Sequence, residues 1–276
     1  MLKLRVIFRA YGMFFLAFIG AGSMAYASDG VTPAQPKPKL VFEAKWGAHQ
    51  SASVPLGVSW EDSTPACFNY MAVRGKQVFI ADPVFDRVAL FEHGKFVRAY
   101  RQPPVTDVMG LVVGGDNIYE LDQFGKIARI NLVTTKYTVS SAPVVVDRFG
   151  TGMLTLGTYT LFSYDDQLII NRSEQGGQVC VGMDTLRVQS CGRFPTAAFS
   201  SNELRVTLRG EKYVTVKNEQ VFLHDRTGKI VARAPWLRGE SLCGDRDAWA
   251  ATEEGLYFAL QARNSVSVYF QPWWAP

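Results

Sequence analysis

The sequence has few of the residues that usually carry catalysis or hold a cofactor. It contains only 3 His. These are His49, His93 and His224, each near a turn or a strand end, where surface or structural imidazoles are expected. No Ser lies in a G-x-S-x-G motif, which excludes the usual nucleophile elbow of serine hydrolases. Neither G-x-G-x-x-G nor a Walker pattern occurs, so the chain has no recognisable nucleotide-binding loop.

Cysteine is scarce as well, and its spacing excludes further kinds of site. The 4 Cys form no C-x-x-C pair, which argues against a dithiol redox motif and against a zinc ribbon. Because C-x-x-C-H is also missing, covalently attached haem is not expected.

A strong excess of one charge is missing too. The formal net charge is +4, from 29 Lys and Arg against 25 Asp and Glu. Lys3, Arg5 and Arg9 lie in a segment that we expect to be removed, and without these three cations the net charge is about +1. The total charge therefore gives no reason to expect nucleic acid or an anionic membrane as a partner.

The chain does begin with the features of an export signal. Residues Met1–Ala27 combine a basic start, the apolar run Met13–Ile19 and an A-x-A cleavage site before Ser28. The apolar run is shorter than the roughly 20 residues of a spanning helix. We therefore predict a cleaved signal peptide, with an uncleaved anchor as the alternative. No Cys stands at the cleavage point, which argues against a lipoprotein, so the bacterial periplasm is the predicted location and full secretion the second choice.

A polar linker and one globular domain follow the signal. Residues 28–39 (SDGVTPAQPKPK) are rich in Pro and polar residues and cannot bury enough apolar surface to become ordered. Residues 40–276 consist largely of short alternating apolar segments separated by turn residues, a pattern typical of strands. The sequence therefore predicts a single all-β domain over residues 40–276.

Groups of four such segments recur along this domain. The clearest group has predicted strands at 68–73, 78–82, 87–91 and 96–100, and similar groups follow at 107–141, 156–195 and 204–235. A fifth group supplies only three strands, at 248–252, 256–260 and 266–270. Repeats with a period of about 30 to 50 residues favour a β-propeller; the alternative is an irregular β-sandwich.

The first two groups resemble the NHL repeat. That repeat is commonly written as a "gIAV" strand, then "G-x-IYVAD", then "RIQxF". The matching residues are Met71–Val73, Gly75 with Val78–Asp82, and Arg87–Phe91 in the first group, and Gly110–Val113, Asp116–Asp122 and Lys126–Ile130 in the second. The resemblance implies four-stranded propeller blades, commonly six. It also implies that Asp82, Asp122 and Asp225 bond to backbone amides of blade turns.

The incomplete last group predicts how the ring closes. Residues 40–46 form a strand without a group of their own, whereas the last group lacks an outer strand. Propellers often lend a terminal strand to the last blade, which protects exposed sheet edges. We therefore expect Phe42 to lie beside Val268. Counting predicts five blades, and pieces at 54–60 and 144–146 leave room for a sixth.

This arrangement also predicts how the cysteines pair. Cys180 and Cys191 flank a turn between two strands of one blade, and a bridge closing that short loop contributes about 2–3 kcal/mol. Cys67 and Cys243 precede the innermost strands of the first and last blades, which ring closure makes neighbours. A bridge there would staple the seam and contribute about 4–5 kcal/mol. The alternative is free buried thiols.

Polar residues near the innermost strands are the candidate ligands of the channel mouth. They are Asn69, Asp107, Asn202, Glu240 and Asp245. Carboxylates and amides of this kind can coordinate Ca²⁺, which takes six to eight oxygen ligands, and the set resembles in kind that of six-bladed calcium-dependent lactonases. The other interpretation is that they are solvated loop residues, in which case no cofactor is expected.

Two further features complete the functional hypothesis. Trp273 and Trp274, with Trp46 and Trp60, predict either an aromatic cluster that seals the ring or a surface that faces a partner. A clear scaffold without a catalytic signature favours an exported protein-binding or assembly module of a cell-envelope complex. Its partner would be another envelope protein, with no nucleic acid and no stable membrane insertion after cleavage. The alternative is a channel-mouth enzyme of the calcium-dependent lactonase or lyase type.

Overall fold

The computed structural model divides the chain into two compact units, Met1–Ala34 and Gln35–Pro276. All described residues belong to the second unit: 36–47, 56–57, 68, 70–103, 108–141, 159–164, 166–172, 178–191, 205–207, 212–217, 220–225, 227–235, 248–262 and 265–275. These residues form strands and turns. A search of them found no helix with the length and apolar character needed to cross a membrane.

The strands agree closely with the predicted segments. In chain order they are β1 Lys39–Gly47, β2 Leu56–Gly57, β3 Met71–Arg74, β4 Gln77–Asp82, β5 Arg87–Glu92, β6 Lys95–Arg101, β7 Val108–Gly114, β8 Asn117–Asp122, β9 Ile127–Asn131, β10 Tyr137–Val139, β11 Tyr159–Tyr164, β12 Gln167–Arg172, β13 Gln178–Gly182, β14 Val188–Gln189, β15 Arg205–Thr207, β16 Tyr213–Lys217, β17 Gln220–His224, β18 Ile230–Pro235, β19 Trp249–Ala251, β20 Gly255–Gln261 and β21 Ser265–Pro272. Each of the five predicted groups corresponds to one sheet.

The sheets form a five-bladed β-propeller. Four of them are antiparallel four-stranded meanders in chain order, β3 to β6, β7 to β10, β11 to β14 and β15 to β18, and the fifth has the order β19-β20-β21-β1-β2. The innermost strands meet around the ring, β19 against β3, β3 against β7, β7 against β11 and β11 against β15. The propeller prediction is therefore confirmed with five blades among the described residues. Of the pieces considered for a sixth blade, Leu56–Gly57 belongs to the last blade, and 144–146 lie outside the described residues.

The N-terminal strand closes the ring as predicted. β1 runs antiparallel to β21, and Phe42 is the register partner of Val268. On the other side Phe42 stacks on Phe91 of the first blade, with ring centroids 4.2 Å apart. β1 therefore completes the last blade and also packs against the first, so it bridges the seam.

The core consists of layers between neighbouring blades. Successive side chains of a strand point to opposite faces of its sheet. In β4, Val78 and Ile80 pack toward the last blade, whereas Phe79 and Ala81 pack toward the second. Similar apolar layers join the second blade to the third and the fourth to the last. Because both faces of a blade are covered, its middle strands are almost continuously apolar.

The three predicted turn aspartates bond to backbone amides of their turns, Asp82 through the amide of Phe85. Asp122 Oδ1 accepts hydrogen bonds from the amides of Phe124 (2.9 Å) and Lys126 (2.7 Å). Asp225 Oδ1 accepts them from the amides of Thr227 (2.8 Å) and Lys229 (3.1 Å). These side chains satisfy backbone donors where the chain reverses between two strands.

Candidate functional site

The predicted channel-mouth ligands all lie outside the described residues. These are Asn69, Asp107, Asn202, Glu240 and Asp245. The part of the chain that the structure describes holds no group of three or more His, Cys, Asp or Glu residues placed to bind a metal ion. A Ca²⁺ site at the mouth therefore stays a prediction. The proposed Cys67–Cys243 bridge also falls outside the described residues.

The other predicted disulfide is present. Cys180 on β13 is bonded to Cys191, which follows β14, and their Cα atoms are 5.1 Å apart. Cys180 is buried against Phe162 and Ile169 on the inner strands of the same blade. The bridge fastens the short outer strand β14 to the body of the third blade.

The tryptophans divide between two blade junctions. Trp273 and Trp274 are partly buried between the fourth and last blades, and Trp273 Nε1 donates to the Thr252 carbonyl at 2.9 Å. Trp46 instead packs in the layer between the last and first blades and donates to the Ala262 carbonyl at 2.8 Å. Trp60 lies outside the described residues. Trp46 is therefore separated from Trp273 and Trp274 by the width of the last blade.

The described histidines are placed as structural or surface groups. His224 stacks on Tyr213, and its ring nitrogens lie 2.9 Å from Thr215 Oγ1 and 3.1 Å from the Gly228 carbonyl. His93 is exposed in the hairpin turn between β5 and β6, with a φ of 49°. His49 lies outside the described residues.

Asp82, the third turn aspartate, forms part of a buried ion pair. Its Oδ2 accepts hydrogen bonds from Arg87 Nε (3.1 Å) and from the amide of Gly57 (3.0 Å). The Arg87 guanidinium also lies 4.7 Å from the centre of the Phe85 ring. Burial raises the pKa of Asp82, while Arg87 and the amides of Gly57 and Phe85 oppose that rise. The carboxylate thus ties β2 to the first blade, a long-range role that its position in a turn did not reveal.

Glu120 is a buried carboxyl group that the sequence interpretation missed. It occupies the middle of β8 and is 0% exposed, on the face that Ile118 presents to the first blade. Its register partners are the apolar residues Leu111 and Ala128. Among the described residues neither carboxyl oxygen has a hydrogen-bond partner, and burial raises the pKa of Glu120 to about 8. The only signal in the sequence was an acidic residue at a position where the apolar alternation of the strand predicts a buried side chain.

The rim, defined as the outermost strands β1, β6, β10, β14 and β18, is the candidate interaction surface. Apolar side chains are exposed on every one of these strands: Leu40, Val97, Tyr137, Val188, Ile230 and Val231. Exposed cations lie on these strands or directly before them: Lys39, Lys45, Lys95, Arg98, Arg101, Lys136, Arg187 and Lys229. Within the described outer strands Glu43 is the sole acid.

Cations are concentrated on the rim of this chain, although its net charge is small. Asp82, Glu120 and Asp122 are buried, and apart from Glu43 in β1 and Glu92 in β5 the other described acids lie in turns, so cations outnumber acids on the rim. A surface that alternates cations with aliphatic and aromatic side chains can bind an acidic, partly apolar surface. The net charge calculated from the sequence did not reveal this local excess of cations on the rim.

Comparison with known proteins identifies no family. No protein-family profile and no curated protein matches the chain. Similar solved structures include a protein of unknown function from Bacteroides thetaiotaomicron, with 11% identity and a TM-score of 0.48, covering 85% of this chain and 72% of that one. BamB from Moraxella catarrhalis has 17% identity and a TM-score of 0.34, covering 72% of this chain and 57% of BamB.

The WD40 β-propeller domain of Doa1 is also similar, with 11% identity and a TM-score of 0.38, covering 72% of this chain and 62% of that one. The chain thus spans less than two thirds of the compared BamB and Doa1 chains. At these levels of identity a likeness concerns the fold alone, and the assignment of five blades rests on the strand order of this chain.

Proposed function

We propose that this chain is an exported, NHL-like β-propeller that serves as a protein-binding or assembly module of a cell-envelope complex. The observation that carries the proposal is the rim, on which exposed cations and apolar side chains alternate around a closed ring. Rigid scaffolds with such surfaces bind partners at little cost in conformational entropy. The partner is another envelope protein, and neither nucleic acid nor membrane insertion is part of its action.

Two features support export to the periplasm. Residues Met1–Ala27 have the pattern of a cleaved signal peptide. The Cys180–Cys191 disulfide is the kind of bond that persists in an oxidising compartment. Fractionation of producing cells, followed by mass spectrometry of the N-terminus, tests this. Mature protein beginning at Ser28 in the periplasmic fraction is expected, and full-length protein in the cytoplasm would contradict it.

The binding role is tested by photo-crosslinking in living cells. A photo-reactive amino acid is placed at rim positions Val97, Tyr137 or Val188, and at Asp116 in the β7–β8 turn as a control outside the rim. We expect a defined adduct with a second envelope protein from at least one rim position and none from the control. A protein that forms no adduct and elutes as a monomer after gentle extraction would overturn the proposal.

The proposal includes no metal cofactor. A thermal-shift measurement with CaCl₂ or EDTA is expected to leave the melting temperature unchanged. A large rise with Ca²⁺, reversed by EDTA, would instead favour the channel-mouth enzyme, because a metal that binds only the folded state stabilises it.

A further inference from the structure

We propose that β6, the outer strand of the first blade, is a docking edge at which an extended acidic segment of the partner protein adds a further strand. This inference rests on the proposed binding function and deepens it. An exposed sheet edge presents unpaired N–H and C=O groups, and extended peptides bind such edges through main-chain hydrogen bonds.

β6 is the longest outer strand among the described residues that has no further strand along any part of its outer edge. It has 7 residues and, within the described part of the chain, pairs only with β5. β1 is longer, but β2 covers its end at Trp46 and Gly47. β18 is met by Trp274, whose backbone exchanges hydrogen bonds of 3.0 and 3.1 Å with Arg233. β10 and β14 have only 3 and 2 residues.

The charge of β6 specifies an acidic occupant. Lys95, Arg98 and Arg101 are exposed, and the strand contains no acid. Across the sheet, Glu92 is the register partner of Lys95, but it is partly buried and accepts a hydrogen bond from the Gln77 side-chain amide at 3.3 Å. Like charges directly opposite one another destabilise a strand pair. The edge therefore disfavours a second copy of itself and favours an acidic segment.

A bulge defines where the added strand fits. The register between β5 and β6 shifts at Leu90 and Phe91, which leaves Val97 unpaired and 47% exposed. A bulge interrupts pairing along an edge. The regular stretch is therefore Arg98–Arg101, which contains the exposed Ala99 between two cations. Arg98 and Arg101 are three residues apart and project from opposite faces of the sheet. An extended segment with acids three residues apart, and small or β-branched residues between them, therefore matches this stretch in both charge and size.

The probe for this edge is a fluorescein-labelled peptide that carries Glu at every third position with Val and Thr between, added to the mature chain and followed by fluorescence anisotropy. We expect binding that weakens with salt. We also expect binding at least about tenfold weaker in the Arg98→Glu/Arg101→Glu variant, because removing charged partners from an interface costs affinity. Lys136→Glu/Lys229→Glu, which makes the same change of charge on other rim edges, should bind as wild type. Melting temperatures establish that both variants are folded.

Two control peptides separate strand addition from simple attraction. A peptide with Lys in place of Glu should not bind. A peptide with the same acids but Pro at the positions between them lacks most main-chain N–H donors and is fixed in an extended conformation that does not pair as a strand, so it should bind at least about tenfold more weakly. Hydrogen exchange should slow over residues 95–101 when the acidic peptide is added. Equal binding of the Pro peptide, or protection at another strand, would overturn the proposal.

The last experiment measures binding of the protein to vesicles of anionic phospholipid. Suppose that wild type binds the vesicles but not the acidic peptide, and that Arg98→Glu/Arg101→Glu abolishes the binding to vesicles. This result would show that β6 is a lipid-binding surface, and it would overturn the proposal. The crosslinking test described above separates the two levels of failure. If other rim positions form crosslinks but the peptide does not bind at β6, the proposed binding function is supported and the proposed docking edge is wrong. Absence of any crosslink, from a protein that also elutes as a monomer after gentle extraction, would reject both.

Discussion

At the scale of single residues, Glu120 makes the stability of the propeller depend on pH. The group is buried in the layer between the first two blades, and no residue in the described ranges bonds to its carboxyl group, so the neutral acid is the favoured form. Its pKa, about 8 in the folded protein, lies above its ordinary value of 4.5. The stabilisation that belongs to the neutral form is complete below about pH 4.5 and is lost as the pH rises toward about 8.

We expect Glu120→Gln to remove this pH dependence, because the amide stays uncharged. Relative to the variant, wild type should lose on the order of 5 kcal/mol of unfolding free energy between about pH 4.5 and pH 8, at 1.36 kcal/mol per pKa unit. Urea denaturation across this range measures the difference. Asp116→Asn removes an exposed carboxylate as a control and should follow wild type. Parallel curves for wild type and Glu120→Gln would show that Glu120 does not titrate in the folded protein.

The ion pair of Asp82 and Arg87 leads to a second prediction at the residue scale. Arg87→Met should lower the free energy of unfolding by about 3–5 kcal/mol, because it leaves the Asp82 carboxylate buried without its cation. Asp184→Asn is the matched control: the pair between Arg129 and Asp184 is 3.8 Å long and Asp184 is 97% exposed, so the loss should be under about 1 kcal/mol. Equal losses in urea denaturation would contradict the structural role of the buried pair.

At the scale of the element, most strands could be predicted because their signals are local. Apolar alternation and turn residues placed nearly every strand of the five blades within a few residues. The same locality predicted the Cys180–Cys191 bridge, whose partners are 11 residues apart. The outer strands were predicted as strands, but their role as a cationic rim was not, because a sequence does not show which edges remain exposed.

The hairpin turn between β5 and β6 gives a prediction at this scale. Gly94 has a φ of 77°, and a β-carbon there would lie 2.6 Å from the Val41 carbonyl oxygen in β1. Gly75 has a φ of 59°, but its β-carbon would meet nothing within 4 Å. Gly75→Ala should cost about 1 kcal/mol, the penalty of a left-handed conformation. Gly94→Ala should cost at least about twice as much, because β1 must move away from the first blade.

Thermal and urea denaturation of the two glycine variants measure the difference. The comparison isolates the contact across the seam, since both positions carry the same kind of backbone strain. Indistinguishable losses would mean that the hairpin of the first blade does not press on β1.

At the scale of the whole molecule, stability depends on closing the ring. Phe42→Ala should lower the free energy of unfolding by about 3–5 kcal/mol, because Phe42 fills the seam between the first and last blades. Leu40→Ala on the same strand is the control. Leu40 is 54% exposed, and the loss there should be under about 1 kcal/mol. A small loss for Phe42→Ala in urea denaturation would show that β1 contributes little to closure.

The sequence by itself determined the all-β class, the rhythm of the blades, one disulfide and the expectation that an early strand completes the last sheet. These features depend on neighbours in the chain or on a simple count of strands. Only the tertiary structure favoured five blades over six among the described residues, and only it showed the burial of Glu120, the link from Asp82 to Gly57, and the division of Trp46 from Trp273 and Trp274. Each of these depends on contacts between segments far apart in sequence, because burial and the exposure of an edge are set by which blades meet.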